Sequence, residues 1–321
     1  MHVIPLADIR PALSFTAAID AVKEIFIDYS KGLIEQPEPM QILFKESNGA
    51  FFGDCHVKAA QHSEQPYFVI KVASGFYQNT AKGLAANNGL VLVMSAQTGV
   101  PVALLQDEGW LTQVRTAAAG ALAASLKPVC EDACLGLVGA GTQAYLQAQM
   151  ISQKLGIKKV AIYARNLEES KSFKQRLEAE SGLIVEVLQS VREVCHTSQI
   201  LVTATPSSTA LVQVEDLPKE LHIVAVGADS PGKSEIAPDV LANADILVTD
   251  NHEQCLHHGD FGNAVRAGII AEDSDVELGH LLAGKRNDID FAKANISVVD
   301  LTGIGAQDLA VASVVVDQLA L

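Results

Sequence analysis

Aromatic side chains are scarce in this chain, 5% of the residues with a single Trp. Single-stranded nucleic acids are gripped by stacking bases on aromatic faces, and this composition offers few of them. Positive charge is also in short supply: 23 Lys and Arg stand against 38 Asp and Glu, a formal charge of −15. A surface of that sign repels a phosphate backbone, so no nucleic acid is expected as a partner. Uninterrupted apolar runs of ~18 residues, the length a membrane-spanning helix needs, do not occur. Pro5, Asp8 and Arg10 break the N-terminus where a signal peptide would carry its apolar core. The five cysteines (Cys55, Cys130, Cys134, Cys195 and Cys255) are too few and too scattered for a disulfide framework, and their odd number leaves one unpaired. These absences point to a soluble protein of a reducing, cytoplasmic compartment with no membrane partner.

What the chain does have is 321 residues, 49% of them hydrophobic and 19% charged, enough for about two domains with buried cores. Ile19, Val22, Ile25, Phe26 and Tyr29 recur at helical spacing between Thr16 and Leu33. Strand-like runs follow at Met40–Phe44, Tyr67–Val72 and Leu90–Met94, the last continuing through Gln97-Thr98-Gly99 as a hairpin. An Ala-rich helix from Trp110 to Leu126 ends before Pro128. Residues 1–128 therefore read as an α+β domain. Beyond them short apolar runs at 135–138, 160–163, 184–187, 200–203, 223–226, 246–248 and 296–299 alternate with helical segments. That rhythm predicts a doubly wound, Rossmann-type parallel sheet over residues 129–303. A last helix, within 304–321, is expected to rejoin the first domain.

The segment Leu135-Gly-Leu-Val-Gly139-Ala140-Gly141-Thr142-Gln143-Ala144 ends a predicted strand and opens a predicted helix. Gly139 makes the tight turn, Gly141 lets backbone approach a pyrophosphate, and Ala144 permits close helix–strand packing. Free N–H groups at the helix start, from Ala140 to Gln143, then face the phosphates. The second strand runs into Ala164-Arg165-Asn166, with no acid to hold a ribose 2′-hydroxyl. Arg165, with Asn166 beside it, suits a 2′-phosphate, so NADPH is the expected cofactor and NADH its alternative. The cluster His252-Glu-Gln-Cys255-Leu-His257-His258 lacks a closed zinc spacing, and no metal is expected there.

Several separated motifs give the chain a resemblance to the ornithine cyclodeaminase/mu-crystallin family, and within it most to the Δ1-pyrroline-2-carboxylate (ketimine) reductases. They are Val69-Ile-Lys71, Arg115-Thr116-Ala-Ala, the glycine turn, Gly227-Ala-Asp229-Ser-Pro-Gly-Lys233-Ser-Glu235, and Asp300-Leu-Thr302-Gly303. The resemblance implies a homodimer paired through the N-terminal sheets, with Lys71 and Arg115 clamping a substrate carboxylate. A guanidinium offers a carboxylate two parallel donors and an ammonium adds a point charge, so the residue types suit that task. By the same resemblance Thr116 holds the cofactor phosphates, and Asp229 stands near the substrate nitrogen, where it stabilises an iminium and passes a proton. Read without the family, Asp229 is equally a turn residue before Pro231-Gly232. Thr205, Val226 and Gly227 fall at strand ends beside the cofactor crevice, and Thr302-Gly303 resembles a loop near the nicotinamide.

Two departures from the family bear on the substrate. Gln41, after Pro39-Met40, stands where many members carry an Arg. Asp54-Cys55-His56-Val57-Lys58 occupies the neighbourhood where cyclodeaminases place an acid, so His56 or Lys58 makes the pocket more cationic. A cationic pocket disfavours a diamine such as ornithine and favours a cyclic imino acid with one carboxylate. The leading expectation is reduction of Δ1-pyrroline-2-carboxylate to L-proline, with Δ1-piperideine-2-carboxylate as a second substrate. Ornithine cyclodeamination and alanine dehydrogenation are the alternatives within the family, and a crystallin-like NADPH-binding protein is the alternative of another class.

Overall fold

The computed structural model describes residues 1–46 and 51–321. In chain order the elements begin with β1 (His2–Pro5), α1 (Leu6–Ala12), α2 (Phe15–Ser30), β2 (Ile34–Glu35), β3 (Met40–Lys45), β4 (Phe51–His62), β5 (Tyr67–Gly75), β6 (Asn87–Ser95), β7 (Pro101–Gln106) and α3 (Trp110–Ala124). They continue with β8 (Cys134–Val138), α4 (Thr142–Leu155), β9 (Lys159–Tyr163), α5 (Leu167–Ser181), β10 (Ile184–Val187), α6 (Val191–Thr197), β11 (Ile200–Thr203) and β12 (Leu221–Ala225). Next come α7 (Pro238–Ala242), β13 (Ile246–Thr249), α8 (His252–His257), α9 (Gly259–Arg266), β14 (Asp275–Glu277), α10 (Leu278–Leu282), β15 (Ile296–Asp300) and α11 (Gly305–Gln318). By contacts the chain divides into two compact units, Met1–Arg115 with Ile304–Leu321, and Thr116–Gly303.

In the first unit the described strands form one sheet in the order β1-β7-β6-β5-β4-β2, with β3 also paired to β4. Apart from the parallel β1–β7 pair, neighbours run antiparallel. Successive residues of a strand point to opposite faces, and the register puts Ala60, Val69, Val91, Val93, Ala103 and Leu105 together on one of them. All six are buried. Helix α11 lies on β4, β5 and β6 and against α2. Helix α2 starts at Ser14, whose Oγ accepts the Ala17 amide at 3.2 Å, and it buries Ile19, Val22, Ile25 and Phe26 as the spacing predicts. Strand β4 is longer than anything the sequence suggests there. Its helix-covered positions include His56 and Lys58, so the apolar alternation that marks a strand is interrupted.

In the second unit the strands are all parallel, in the order β10-β9-β8-β11-β12-β15-β13-β14. Their Val-, Ile- and Leu-rich runs are buried on both faces, the property that lets such strands be read as continuous apolar segments. The edge strands differ: β10 exposes Ile184 and Glu186 on one side, and β14 is a three-residue strand with acidic ends and no such signal. The strand order reverses between β8 and β11, and ligands of open α/β sheets bind outside the carboxyl ends at that reversal.

His222 of β12 is buried in this unit between Ser297 of β15 and the end of α3. Its Nε2 lies 2.9 Å from the Ala123 carbonyl oxygen and its Nδ1 2.7 Å from Ser297 Oγ. A carbonyl only accepts, so the neutral ring carries its proton on Nε2 and accepts from Ser297 on Nδ1. Burial pushes its pKa down to about 4, with the Lys127 charge adding to the effect and the Ala123 carbonyl opposing it. An unfolded histidine titrates at about 6.5, so stability from this group is complete above that pH and is lost as the pH falls toward 4. Melting temperatures measured across this range for the protein and for His222→Gln test the point. The variant is less stable at neutral pH, and the gap of up to about 3 kcal/mol narrows on acidification; parallel curves would assign the acid sensitivity to other groups.

Candidate active site

In the first unit Lys58 and Lys71 are direct cross-strand partners of β4 and β5, on the face covered by helices. Both are buried, as is Arg115 on α3. One carboxylate serves two of these cations: Asp308 on α11 lies 3.5 Å from Lys71 Nζ and 3.3 Å from Arg115 Nε. Arg115 Nη1 also donates to Gln307 Oε1 at 2.6 Å. Buried Asp107 caps α3 by accepting the Leu111 amide at 2.8 Å, and its charge is felt by Lys71. Burial holds the Lys71 pKa below the ordinary lysine value, opposed by Asp308 and reinforced by Arg115. Burial likewise raises the Asp107 pKa, against the amides that hydrogen-bond it.

The polar groups here are incompletely satisfied. Among the described residues Arg115 Nε, Gln307 Nε2, Asp107 Oδ1 and both Asp308 oxygens are buried without a well-aligned hydrogen bond. Native interiors rarely leave such groups unpaired, and a cluster of them marks a place for a ligand or ordered water. Two buried cations sharing one carboxylate fit an added monoanion. Gln41 and His56 are cross-strand partners on the same face as Lys58, with Gln41 Nε2 3.5 Å from His56 Nε2 and Asp54 3.7 Å from the same ring nitrogen.

In the second unit the turn from β8 to α4 carries the glycine motif. Gly139 has φ +116°, a left-handed conformation, and a Cβ there would stand 2.7 Å from the Ala204 carbonyl oxygen. Gly141 is the exposed N-cap of α4 and supplies no side chain to the first-turn amides. The first turn of α4, with Thr142 and Gln143 in it and Ala140 before it, presents the positive end of the helix dipole, a setting that favours an anion. A cleft of about 480 Å³ opens here, with Ala140, Gly141 and Thr142 on one side and Glu168, Ser172 and Arg176 of α5 on the other. The geometry fits a nicotinamide dinucleotide: a backbone free of side chains where a pyrophosphate lies, at the reversal of the strand order.

The remaining expected residues are placed as follows. Arg165 is exposed after β9, and Asn166 caps α5 by accepting the Glu168 amide at 3.0 Å. Thr116 lies on α3, its carbonyl accepting from Gln147 at 3.2 Å. Thr205 follows β11, the neighbour of β8, and Val226 and Gly227 follow β12, one strand further, so all three stand at carboxyl ends of the sheet. Thr302 and Gly303 follow β15; the Thr302 hydroxyl donates to Asp250 at 3.0 Å and the Gly303 amide donates to the same carboxylate. Gln254 donates to both residues from the opposite side, at 2.8 and 2.9 Å. Asp229 is half-exposed and paired with Lys233 at 2.6 Å. Of the His252–His258 cluster, His252 pairs with Asp275 at 2.8 Å. Among the described residues no group of three or more His, Cys, Asp or Glu is arranged to hold a metal.

Several polar residues in these arrangements had no role assigned from sequence. Asp308 and Gln307 are one: a Gln-Asp pair inside the apolar helix α11 is itself an anomaly, and it was the available signal. Glu235, Asp250, Asp260 and Asp300 are the others, buried carboxylates close to the crevice ends of the strands. Burial and the neighbouring Asp260 push Glu235 up to about 7 against its hydrogen bonds from Thr205 and Thr203, and burial pushes Asp260 up to about 6.

Comparison with known proteins agrees with this architecture. The family model described as ornithine cyclodeaminase/mu-crystallin family matches residues 2–320. An uncharacterized cyclodeaminase of Sinorhizobium fredii is 34% identical over 262 residues, 81% of this chain and 79% of the relative. A Δ1-pyrroline-2-carboxylate reductase of Bacillus cereus is 31% identical over 245 residues, 76% of this chain and 74% of the relative. A solved archaeal alanine dehydrogenase dimer with bound NAD superposes with a TM-score of 0.89 at 29% identity, covering 100% of this chain and 96% of that one. The chain belongs to the ornithine cyclodeaminase/mu-crystallin family.

Proposed function

We propose that this protein is an NADPH-dependent imine reductase that converts Δ1-pyrroline-2-carboxylate to L-proline and also accepts Δ1-piperideine-2-carboxylate. The observation that carries the reading is the buried cation pair, Lys71 and Arg115, which shares Asp308 and keeps donors without partners. It is suited to one carboxylate on a small substrate. Bound at the glycine turn, the dinucleotide supplies a hydride for the C=N carbon, and the nitrogen takes up a proton to become a secondary amine. Arg115 and Lys71 fix the carboxylate, so most of the rate comes from orientation and electrostatics. Asp229 stabilises the positive iminium and relays the proton; its ion pair with Lys233 keeps a negative charge available.

Lys58 bears on the choice among family reactions. Its place opposite Lys71 on the covered face of the sheet adds positive charge to the carboxylate site, which works against a diamine such as ornithine. Reduction of the imine formed from pyruvate and ammonia needs the same groups, and the solved alanine dehydrogenase relative makes it the second reading. Arg165, exposed where an acid would select NADH, supports the NADPH preference. We also infer a homodimer paired through the uncovered sheet face, where Met40 and Ile42 are 55% and 45% exposed and Val57, Val72, Ile70, Leu90 and Leu92 share their side of the register. The free thiols are consistent with the cytoplasm.

Three measurements test these statements. Oxidation of NADPH followed at about 340 nm with Δ1-pyrroline-2-carboxylate is expected to proceed, with Arg115→Ala raising KM about 100-fold through loss of a charge-assisted pair. An unchanged KM would remove Arg115 from the substrate site. Activity with pyruvate and ammonia alone would establish the second reading, ammonia release from ornithine with NAD a cyclodeaminase, and tight NADPH binding without any turnover a binding protein. Arg165→Ala is expected to weaken NADPH at least about 10-fold while leaving NADH nearly unaffected; equal losses would deny it the 2′-phosphate. Light scattering should show Leu92→Glu as a monomer, since an unpaired charge at the centre of an apolar interface is not tolerated, and an unaltered mass would place the interface elsewhere.

A further inference from the structure

Glu235 follows the Gly227–Lys233 loop and is fully buried. Its carboxylate accepts hydrogen bonds from Thr203 Oγ at 2.8 Å, Thr205 N at 2.6 Å, Thr205 Oγ at 2.7 Å and Gly227 N at 2.8 Å. The first three donors sit at the carboxyl end of β11 and the fourth just past β12. Of these strands β11 neighbours β8, whose own end carries the glycine turn, and β12 is the next one beyond. Parallel-strand pairing stops at Thr203 and Ala225, so beyond those residues Thr205 and Gly227 depend on this side chain for their relative position. The fit is close: a Cβ on Gly227 would stand 2.5 Å from Glu235 Oε2.

We propose that Glu235 is a positioning residue for the nicotinamide dinucleotide, its carboxylate tying Thr205 and Gly227 together to shape the crevice edge on which the cofactor rests. The inference depends on the cofactor reading above, not on the identity of the imine. A neutral isostere does not replace the group. Glutamine offers one oxygen and one NH2 to four donors, so at least one N–H or O–H would face another donor. Keeping a carboxylate here is costly, because it is out of water and close to further acids. Asp260 on α9 accepts the Glu235 backbone amide at 2.9 Å and the Ser234 hydroxyl at 3.0 Å. Asp300 at the end of β15 accepts the Phe261 amide at 2.8 Å, and Asp250 at the end of β13 lies beside it, its own amide donating to the Asp300 carbonyl at 3.2 Å. Asp260 and Asp300 face Glu235 from the neighbouring elements, Asp250 and the Cys255 thiol lie beyond Asp300, and Asp229 and Lys233 are on its own loop. A scaffold needing only stability would fill such a place with apolar side chains. Four donors from two crevice-lining segments instead give the charge a use at the site.

Protonation of Glu235 removes its charge and part of its acceptor capacity, so the bonds that tie Thr205 to Gly227 weaken or reverse. Cofactor affinity therefore falls as the pH drops through the titration of this group, which burial and Asp260 place about 7. The experiment is titration of NADPH and NADH against the full-length protein across that range, by quenching of reduced-cofactor fluorescence, for the wild type, Glu235→Gln and Thr203→Val. Glu235→Gln is expected to fold and to raise the dissociation constant about 10-fold or more at mildly alkaline pH. A value within about two-fold of wild type, with cooperative unfolding retained, overturns the proposal. If Glu235→Gln fails to fold, Thr203→Val decides: it removes one hydrogen bond that stabilises the carboxylate, so the midpoint of the pH dependence moves up by about one unit. A lowered melting temperature with an unmoved midpoint would show a merely structural group and overturn the proposal. Wild type that binds neither cofactor defeats this inference and the cofactor reading together, whereas binding without imine reduction defeats only the substrate reading.

Discussion

Asp308 holds two cations that could not otherwise be buried. Lys71 in a sheet and Arg115 in a helix each carry a charge out of water, and taking either one alone into the interior costs several kcal/mol. Placed 3.5 Å and 3.3 Å from a single carboxylate, both meet an opposite charge, and Arg115 Nε and Gln307 Nε2 remain as unpaired donors. In a protein with a formal charge of −15, the cluster concentrates positive charge at one buried place. The arrangement also explains why α11 belongs with the first unit. Its Gln307-Asp308 pair completes a site whose other members lie in β5 and α3, and Gln307 is 192 positions from the arginine it contacts.

The second unit solves a related problem with opposite charges. Parallel strands end in backbone groups that the ladder no longer pairs, and a crevice for a ligand requires those ends to be open. The structure keeps side chains away from the glycine turn at Gly139 and Gly141 and secures the neighbouring strand ends from beneath with acids. Glu235 serves Thr205 and Gly227, while Asp250 serves Thr302 and Gly303. Each acid is buried, and each collects several donors. The crevice is thereby pre-shaped without a bulky side chain at its edge.

How far this was legible from sequence differs by the range of the interaction. The glycine turn and the apolar stripe of α2 are local patterns, and the structure places them where their spacing says. The buried strands β8, β11, β12 and β15 read as apolar runs because both of their faces are covered. Strand β4 was not visible, since His56 and Lys58 occupy inward positions and erase its alternation, and β14 was too short and acidic to register. Gly227 and Asp229 stood out within their motif, but Glu235 in the same motif carried no signal of its task, because its donors on Thr203 and Thr205 lie some thirty residues earlier in the chain and only folding brings them to the Gly227 amide. Asp308 was hidden for the same reason: an acid in an apolar helix is unusual, yet only tertiary structure names its partners.

Burying so much charge has a consequence for how the protein responds to acid. His222, held neutral, removes stability as the pH falls from about 6.5 toward 4, because the unfolded chain takes up a proton that the folded one refuses. Glu235, pushed up to about 7, and Asp260, pushed up to about 6, act in the other direction. The folded state binds their protons before the unfolded state does, so their contribution grows as the pH falls through the same interval and is lost as the pH rises. Asp300, raised by burial and by Asp260, adds to that side. The two effects oppose each other across the window in which most proteins begin to lose stability. Protonation of Glu235 that costs the crevice its shape is then not a step toward unfolding, and cofactor affinity declines with acidification before the fold does.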